Sequence, residues 1–134
     1  RYPAEAFFKT TDYISAGAMT AFSPDDSKLL ISSNASGVFN AYTLDVRTGE
    51  QATLTNSASS ATFAVGYFPK DERILFTADT GGDELNHLFV RELDGTLKDL
   101  TPGENLKAIF GRWIGEGEAI FAFTNERDAR VFDL

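Results

Sequence analysis

The sequence predicts an all-β fold in which a four-stranded antiparallel sheet is repeated along the chain. The stretches "FSPDDSKLLISS" (22–33) and "YFPKDERILFTAD" (67–79) share a proline, a charged turn and an apolar triplet in the same order. A third stretch, "WIGEGEAIFAFTN" (113–125), keeps the turn and the apolar run without the proline. Leu30, Leu75 and Ile120 follow one another at intervals of 45 residues. A fixed spacing of this size is typical of stacked repeat architectures.

Each unit is expected to contain an inner strand, a polar turn, a second strand, a loop, a third strand, a Gly-bearing turn and a short fourth strand. The polar turns are Asp25-Asp26 and Lys70-Asp71. Beyond them, "NAYTLDVRTGEQATLT" (40–55) aligns with "NHLFVRELDGTLKDLT" (86–101) after one inserted residue. The segments are short and rich in β-branched and aromatic residues, and helical periodicity is absent outside the first few residues. Four strands repeated every 40–50 residues or so form a propeller blade.

The fold class is therefore a partial β-propeller with two complete blades and an incomplete third. We assign residues 1–15 to an N-terminal segment, 16–56 to blade 1, 57–102 to blade 2 and 103–134 to blade 3. Propellers close with about four to eight blades, so these units are not expected to close a ring alone. We expect either a piece of a larger protein or a chain that assembles with its own copies, because uncapped apolar blade faces favour association.

Small residues at equivalent inner-strand positions predict close packing near the propeller axis. Ala21, Gly66 and Gly111 are spaced by 45 residues, and glycine within a strand often marks a close backbone approach. Ordinary strand glycines or β-bulges are the alternative. The apolar runs "LLIS", "ILFT" and "AIFAF" predict middle strands that are buried on both faces.

Composition excludes several classes of partner. The net charge is −8, and the 12 basic residues form no cluster that could follow a phosphate backbone, so nucleic-acid binding is disfavoured. The sequence has no long apolar segment or polybasic patch that predicts membrane association. Cysteine is absent, which excludes disulfides and thiolate metal sites but leaves the compartment open between periplasm and cytoplasm. The first residue is Arg1, which suggests a removed leader or an excised segment.

No catalytic, cofactor-binding or metal-binding residue is predicted. His87 is the only histidine; it lies on the predicted third strand of blade 2, where blade 1 has Ala41, and shares a face with Phe89. A general base or ligand is one interpretation, and a partly buried structural histidine is the favoured one.

Motifs for nucleophilic or nucleotide chemistry are missing as well. The sequence has no G-x-S-x-G elbow, P-loop, dinucleotide fingerprint or H-E-x-x-H pair. Acidic pairs occur at Asp25-Asp26, at Asp83-Glu84 and in the run "NERD" (125–128). The stretch "SPDDSK" (23–28) lacks the alternating oxygen ligands and glycine of a calcium loop, and "GGDELN" (81–86) suits a loop on one rim of the propeller, for which a binding role is the alternative. Solvated turns are the favoured interpretation of these pairs.

The repeat resembles the TolB-like repeat, whose pattern is S-P-D-G-x-x-[IL], an apolar strand, Y-x-x-[DN] and a terminal L-T. In blade 1 Asp26 stands where that family most often has glycine. The stretches "GGDELNHLFVRELDGTLKDLTPGE" (81–104) and "TNERDARVFDL" (124–134) further resemble the propeller of bacterial S9 peptidases, the prolyl oligopeptidase and acylaminoacyl-peptidase group. The N-terminal "YPAEAFFKT" is similar to the start of those mature chains.

The resemblance implies a propeller that gates a serine peptidase of small peptides. In that family the serine, aspartate and histidine lie in a C-terminal α/β-hydrolase domain, and none of them has a counterpart in this chain. The expected partners are the hydrolase domain, the remaining blades and, in the parent, peptide substrates; residues 1–15 would extend toward the hydrolase domain. The alternative is a non-enzymatic TolB-like propeller that binds protein partners.

Overall fold

The computed structural model describes residues 11–16, 20–79 and 85–125 with their side chains, and the backbone of 126–128 and 131–133. Within these residues the chain forms three antiparallel sheets and no helix. The all-β prediction is confirmed. The possible helical start falls outside the described residues, as do Asp83-Glu84 and most of segment 1–15.

Each sheet is a meander in which consecutive strands pair. Sheet 1 contains β1 (Tyr13–Ser15), β2 (Lys28–Ser33), β3 (Asn40–Asp45) and β4 (Gln51–Thr53). Sheet 2 contains β5 (Thr62–Tyr67), β6 (Ile74–Ala78), β7 (His87–Arg91) and β8 (Leu97–Asp99). Sheet 3 contains β9 (Ala108–Ile114), β10 (Ala119–Asp128) and β11 (Val131–Asp133).

The turns form as the sequence predicts, and they use backbone conformations that the turn residues suit. Gly49 and Gly95, in the turns before the fourth strands, have φ angles of 77° and 90°, which glycine adopts without steric cost. Asp26 has a φ of 59°, a left-handed conformation that Asp tolerates better than most residues. Glycine would adopt this conformation without steric cost.

The first strand of sheet 1 starts earlier than blade 1 was placed. β1 begins at Tyr13, inside the segment 1–15, and the chain returns to the sheet at Phe22, which pairs with Leu29. Leu30 holds both ends of this interruption, because its carbonyl accepts from the Ala16 N–H and its N–H donates to the Ala21 carbonyl. The Phe22–Leu29 pair is repeated 45 residues later by Tyr67–Ile74.

Interruptions recur at the same level of the first hairpin in sheets 2 and 3. In sheet 2 the register shifts between Ala64 and Gly66 of β5. In sheet 3 it shifts in β9, because Phe121 and Ala122 of β10 pair with Arg112 and Phe110. Gly111 lies at the second shift, and a Cβ added there would meet the Phe121 carbonyl oxygen at 3.0 Å. Its close neighbour is therefore the partner strand of its own sheet, which favours the bulge alternative for this glycine.

The close backbone approach does occur between sheets 1 and 2. The Tyr67 N–H, next to buried Gly66, donates to the Thr20 carbonyl at 2.8 Å.

Two apolar cores fill the spaces between neighbouring sheets. Leu30, Ala41, Tyr67, Ile74 and Phe76 pack between sheets 1 and 2.

The second core fills the space between sheets 2 and 3. It is built on Leu75, Leu88, Leu106 and Ala108, with Trp113 and Ile120 packed against it. Because Leu75 faces opposite to Ile74 and Phe76, β6 is buried on both faces, as predicted. The strand β10 differs: Ala119 and Phe123 are exposed, because no further sheet covers its far face within the described chain.

Candidate functional site

The His87 side chain links β7, the third strand of sheet 2, to β8, the fourth. Its Nδ1 lies 2.8 Å from a carboxylate oxygen of Asp99, and the two side chains are 14% and 29% exposed. An ionised carboxylate only accepts hydrogen bonds, so Nδ1 carries the proton in this contact. The other Asp99 oxygen accepts from the Thr101 N–H at 2.9 Å, which ties the pair to the end of the sheet.

This arrangement lacks the parts of a hydrolytic site. A nucleophile must lie within hydrogen-bond reach of the base, and among the described side chains only Asp99 is bonded to the His87 ring. Phe89 stacks beside the ring with centroids 6.4 Å apart. The expected face sharing of His87 and Phe89 is confirmed, and the geometry is that of a structural histidine.

The strand registers change the equivalence between the two units by one residue. Asn40 pairs with Ser33 at the end of β2, and His87 pairs with Ala78 at the end of β6. Counted from Leu30 and Leu75, His87 is therefore the counterpart of Asn40, whereas the sequence alignment matched it with Ala41. The alignment was wrong here because it matched Asn86 with Asn40 by residue identity. Asn40 begins β3, whereas Asn86 lies one residue before β7.

The terminal Leu-Thr of each unit has a structural role that the sequence did not reveal. The Thr55 hydroxyl accepts from the Ala41 N–H at 2.8 Å, and the Thr101 hydroxyl accepts from the Leu88 N–H at 3.0 Å. Asn40 is 1% exposed, and its amide oxygen accepts from Thr55 Oγ1. These threonines close the outer end of sheets 1 and 2 in the same way.

The polar turns of the three first hairpins form a charged row. Lys28 pairs with Glu72 at 2.9 Å, and Lys70 pairs with Glu116, so each turn is joined to the next. The Asp25 carboxylate accepts from the hydroxyls of Ser27 and Ser23 and from the Ser27 N–H. These hydrogen bonds, that of the Ser27 hydroxyl first, hold the pKa of Asp25 well below its usual range.

The acidic turns do not form a metal site among the described residues. No group of three or more His, Asp or Glu side chains is arranged there to hold an ion. The Asp25 carboxylate instead accepts hydrogen bonds from Ser23 and Ser27 in its own turn, as the solvated-turn interpretation expects.

The clefts among the described residues include two that are large enough to hold a small ligand. The larger, about 740 Å³, lies between the first strands of sheets 2 and 3 and is lined by Ala64, Val65, Phe110 and Trp113, with Lys107 and Arg112 as its charged groups. Within the described chain neither cation is paired with a carboxylate. Arg112 lies over the Phe121 ring, 4.7 Å from its centroid.

The second cleft, about 470 Å³, lies between sheet 2 and the loop 54–61 that joins sheet 1 to sheet 2. Its floor is formed by apolar side chains of sheet 2, and its wall by the loop that joins the two sheets. We call it the hydroxyl-lined cleft, after the residues 55–60 of that wall. Both volumes fall within the range of about 300–1,000 Å³ that is typical of small-molecule sites.

No helix among the described residues is long and apolar enough to cross a membrane. Comparison with family models and with curated proteins found no match.

Proposed function

We propose that this chain is part of the gating propeller of an S9-type serine peptidase that acts on small peptides, and that it is not catalytic by itself. The observation that carries the proposal is the repetition of one meander at a spacing of 45 residues, together with the S9-like stretches 81–104 and 124–134. Because propellers need about four to eight blades, the three sheets would be three of the blades.

The packing between sheets supports the propeller part of the proposal. The first strand β5 packs against the middle strands β2 and β3 of the preceding sheet, and β9 packs against β7. The same edge of each sheet thus faces the same side, as blades around an axis require. The cross-sheet ion pairs of the turns repeat in the same sense from sheet 1 to sheet 2 and from sheet 2 to sheet 3.

The placement of the larger cleft is compatible with the proposed gating role. In a closed ring the first strands line the central channel, so the large cleft between β5 and β9 would open toward that channel. Lys107 and Arg112 would add positive charge to its wall in a chain whose net charge is −8. Because His87 contacts Asp99 and no nucleophile among the described residues, the chemistry would come from a hydrolase domain of the proposed parent protein.

The coding sequence beyond Leu134 tests the proposal. We expect further units at about the same spacing, followed by a G-x-S-x-G elbow in an α/β-hydrolase region. A reading frame with several more units and no hydrolase region would instead support the non-enzymatic TolB-like propeller. A stop codon directly after Leu134 or an unrelated domain would contradict both.

The purified chain provides a second test. It should not hydrolyse chromogenic peptide amides or esters, because no nucleophile contacts its histidine within the described residues. Activity that survives repurification and disappears in His87→Ala would refute the assignment of His87 as a structural residue.

A further inference from the structure

The first strand of sheet 2 is hydrogen-bonded to the preceding unit along its outer edge. Three backbone N–H groups of β5 point away from β6, and each donates to an acceptor of that unit at 2.8 Å. They belong to Thr62, Ala64 and Tyr67, and the acceptors are the Phe39 carbonyl, the Ser32 hydroxyl and the Thr20 carbonyl. These bonds join the first strand of one sheet to the sheet before it.

The first strand of sheet 3 repeats one of these three bonds within the described residues. Its counterparts of Thr62, Ala64 and Tyr67, identified by their pairing with the second strand, are Ala108, Phe110 and Trp113. The Ala108 N–H donates to the Asn86 carbonyl at 2.8 Å. Because the N–H groups of an antiparallel strand alternate between its partner and its outer side, the Phe110 N–H lies on the same outer edge. Neither Phe110 nor Trp113 donates its backbone N–H to sheet 2 in the described chain.

The larger cleft lies where these two bonds are missing. Phe110 and Trp113 line one wall, and Thr77 lines the other. Thr77 is the counterpart of Ser32, because it precedes the Ala78–His87 pair as Ser32 precedes the Ser33–Asn40 pair. The donors of sheet 3 and the hydroxyl that corresponds to their acceptor are therefore separated by a space of about 740 Å³.

The open edge of β9 can pair with an extended segment. β9 (Ala108–Ile114) is the outermost strand of sheet 3. Unpaired N–H and C=O groups along such an edge are a template for another strand. An added segment forms main-chain hydrogen bonds, which provide affinity, and its alternate side chains contact the walls, which provides specificity. A segment of a few residues would span the two free donors.

The charge of the lining favours an acidic segment. Lys107 and Arg112 are the only charged residues that line the cleft, and neither pairs with a carboxylate in the described part of the chain. Both belong to the stretch that carries the free donors, on either side of Phe110. Opposite charges across an interface select the partner and fix its register, so carboxylates of the added segment would meet these two cations.

We propose that the edge of β9 beside the larger cleft binds an acidic protein segment in extended conformation, which adds a strand to sheet 3. The site is built from sheets 2 and 3 and does not depend on the peptidase assignment. The coding sequence beyond Leu134 can contradict that assignment while the segment still binds, and binding can fail while the coding sequence supports it.

The test is an NMR titration of the ¹⁵N-labelled chain with an acetylated and amidated pentapeptide of alternating Glu and Val. The comparison compounds are the same peptide with Lys in place of Glu, the acidic peptide with every peptide nitrogen methylated, and succinate. We expect saturable binding of the acidic peptide, with downfield shifts and slower solvent exchange of the Phe110 and Trp113 backbone amide protons. Each comparison compound should bind at least about fivefold more weakly, because it lacks either the charge or the backbone pairing.

Charge variants locate the site. Lys107→Glu and Arg112→Glu should each weaken binding of the acidic peptide by about fivefold or more. Lys98→Glu, at an exposed position of β8 that does not line the cleft, should leave binding within about twofold. Both cleft variants should bind the Lys-containing peptide more tightly than the wild type does, a gain that an unfolded variant would not show.

Four results would overturn the proposal. One is the absence of saturable shifts with the acidic peptide. Another is equal binding of succinate or of the methylated peptide, which would show contact with an anion without strand pairing. A third is an equal effect of Lys98→Glu and the two cleft variants. The last is a change of the Phe110 and Trp113 signals on dilution of the chain alone, which would show that a second copy occupies the edge.

Discussion

Replacing Tyr67 by phenylalanine removes a hydroxyl group that the fold buries at a cost. Tyr67 is 2% exposed in the core between sheets 1 and 2. Its hydroxyl lies near the Thr43 hydroxyl, but it makes no hydrogen bond of acceptable geometry within the described residues. Leaving such a group unsatisfied costs about 1–3 kcal/mol of stability. We therefore expect Tyr67→Phe to raise the free energy of unfolding at neutral pH by about 1 kcal/mol, after allowance for the small void left behind.

The same site makes stability sensitive to alkaline pH. Burial, with the negative charges of Glu72 and Asp25, raises the pKa of Tyr67 from 10.0 to about 12, although the nearby Thr43 hydroxyl acts in the opposite direction. Between these values the unfolded chain releases the phenolic proton and the folded chain retains it. Unfolding is then favoured, so stability is full below pH 10 and falls as the pH rises toward 12.

The size of this loss follows from the shift. One pKa unit corresponds to 1.36 kcal/mol, so the upper limit is about 3 kcal/mol for this residue. Tyr67→Phe should abolish this part of the alkaline loss. Tyr42→Phe is the matched control, because Tyr42 lies on β3 between Ala41 and Thr43 and its side chain faces away from that core.

Urea unfolding followed by the fluorescence of Trp113 at a series of pH values measures both effects. We expect the curves of the wild type and Tyr67→Phe to diverge above pH 10, with Tyr42→Phe following the wild type. A Tyr67→Phe variant that is destabilised at pH 7 and shows the wild-type alkaline slope would refute the reasoning, since the hydroxyl would then have a partner.

Three other outcomes are expected. Ser32→Ala should lower the free energy of unfolding by about 1–2 kcal/mol, because the buried Ala64 N–H loses its acceptor, 2.8 Å away in the neighbouring sheet; the exposed Ser59→Ala serves as its control, and equal stability of the two variants would contradict this contact. Asp25→Asn should flatten the acid limb of stability, because the lowered pKa of Asp25 provides stability that is present above its ordinary value of 3.8 and is lost as the pH falls below it; an unchanged acid limb in urea unfolding would speak against the turn geometry. The chain should self-associate through the far face of sheet 3, where Phe123 is 40% exposed, so sedimentation should show oligomers that Phe123→Lys weakens, and a monomeric wild type would contradict this expectation.

The sequence predicted the features that depend on short-range pattern. The 45-residue spacing predicted the positions of the first hairpins, and Gly49 and Gly95 predicted the turns before the fourth strands. Both signals are local, because they come from neighbouring residues of one strand or from a residue that a turn conformation requires. The burial of "LLIS" and "ILFT" also follows from continuous apolar runs.

The features that sequence reasoning missed depend on register and on contacts across sheets. A shift of one residue exchanges the faces of a strand, and the loops before β3 and β7 differ in length, so identity alone could not show that His87 replaces Asn40. The early start of the first strand at Tyr13 depends on its pairing with β2, and the choice between close packing and a bulge at Gly111 depends on its pairing with β10; the sequence pattern contains neither partner. The larger cleft forms between sheets 2 and 3, and the second forms between sheet 2 and the loop 54–61, so both depend on long-range packing that has no local sequence signal.

One measurement tests most directly whether the repeats stack as successive sheets around a common side. The Trp113 indole nitrogen donates to the Thr20 hydroxyl at 3.3 Å, which joins sheet 3 to the interrupted first strand of sheet 1 across 93 residues. Trp113 is the only tryptophan in the chain, so its indole proton gives a single assignable NMR signal. The stacked arrangement predicts a strong nuclear Overhauser effect between this proton and the Thr20 side chain at a concentration where the chain is monomeric, or after Phe123→Lys. Its absence, with the effects within each sheet intact, would contradict the stacking of the three sheets.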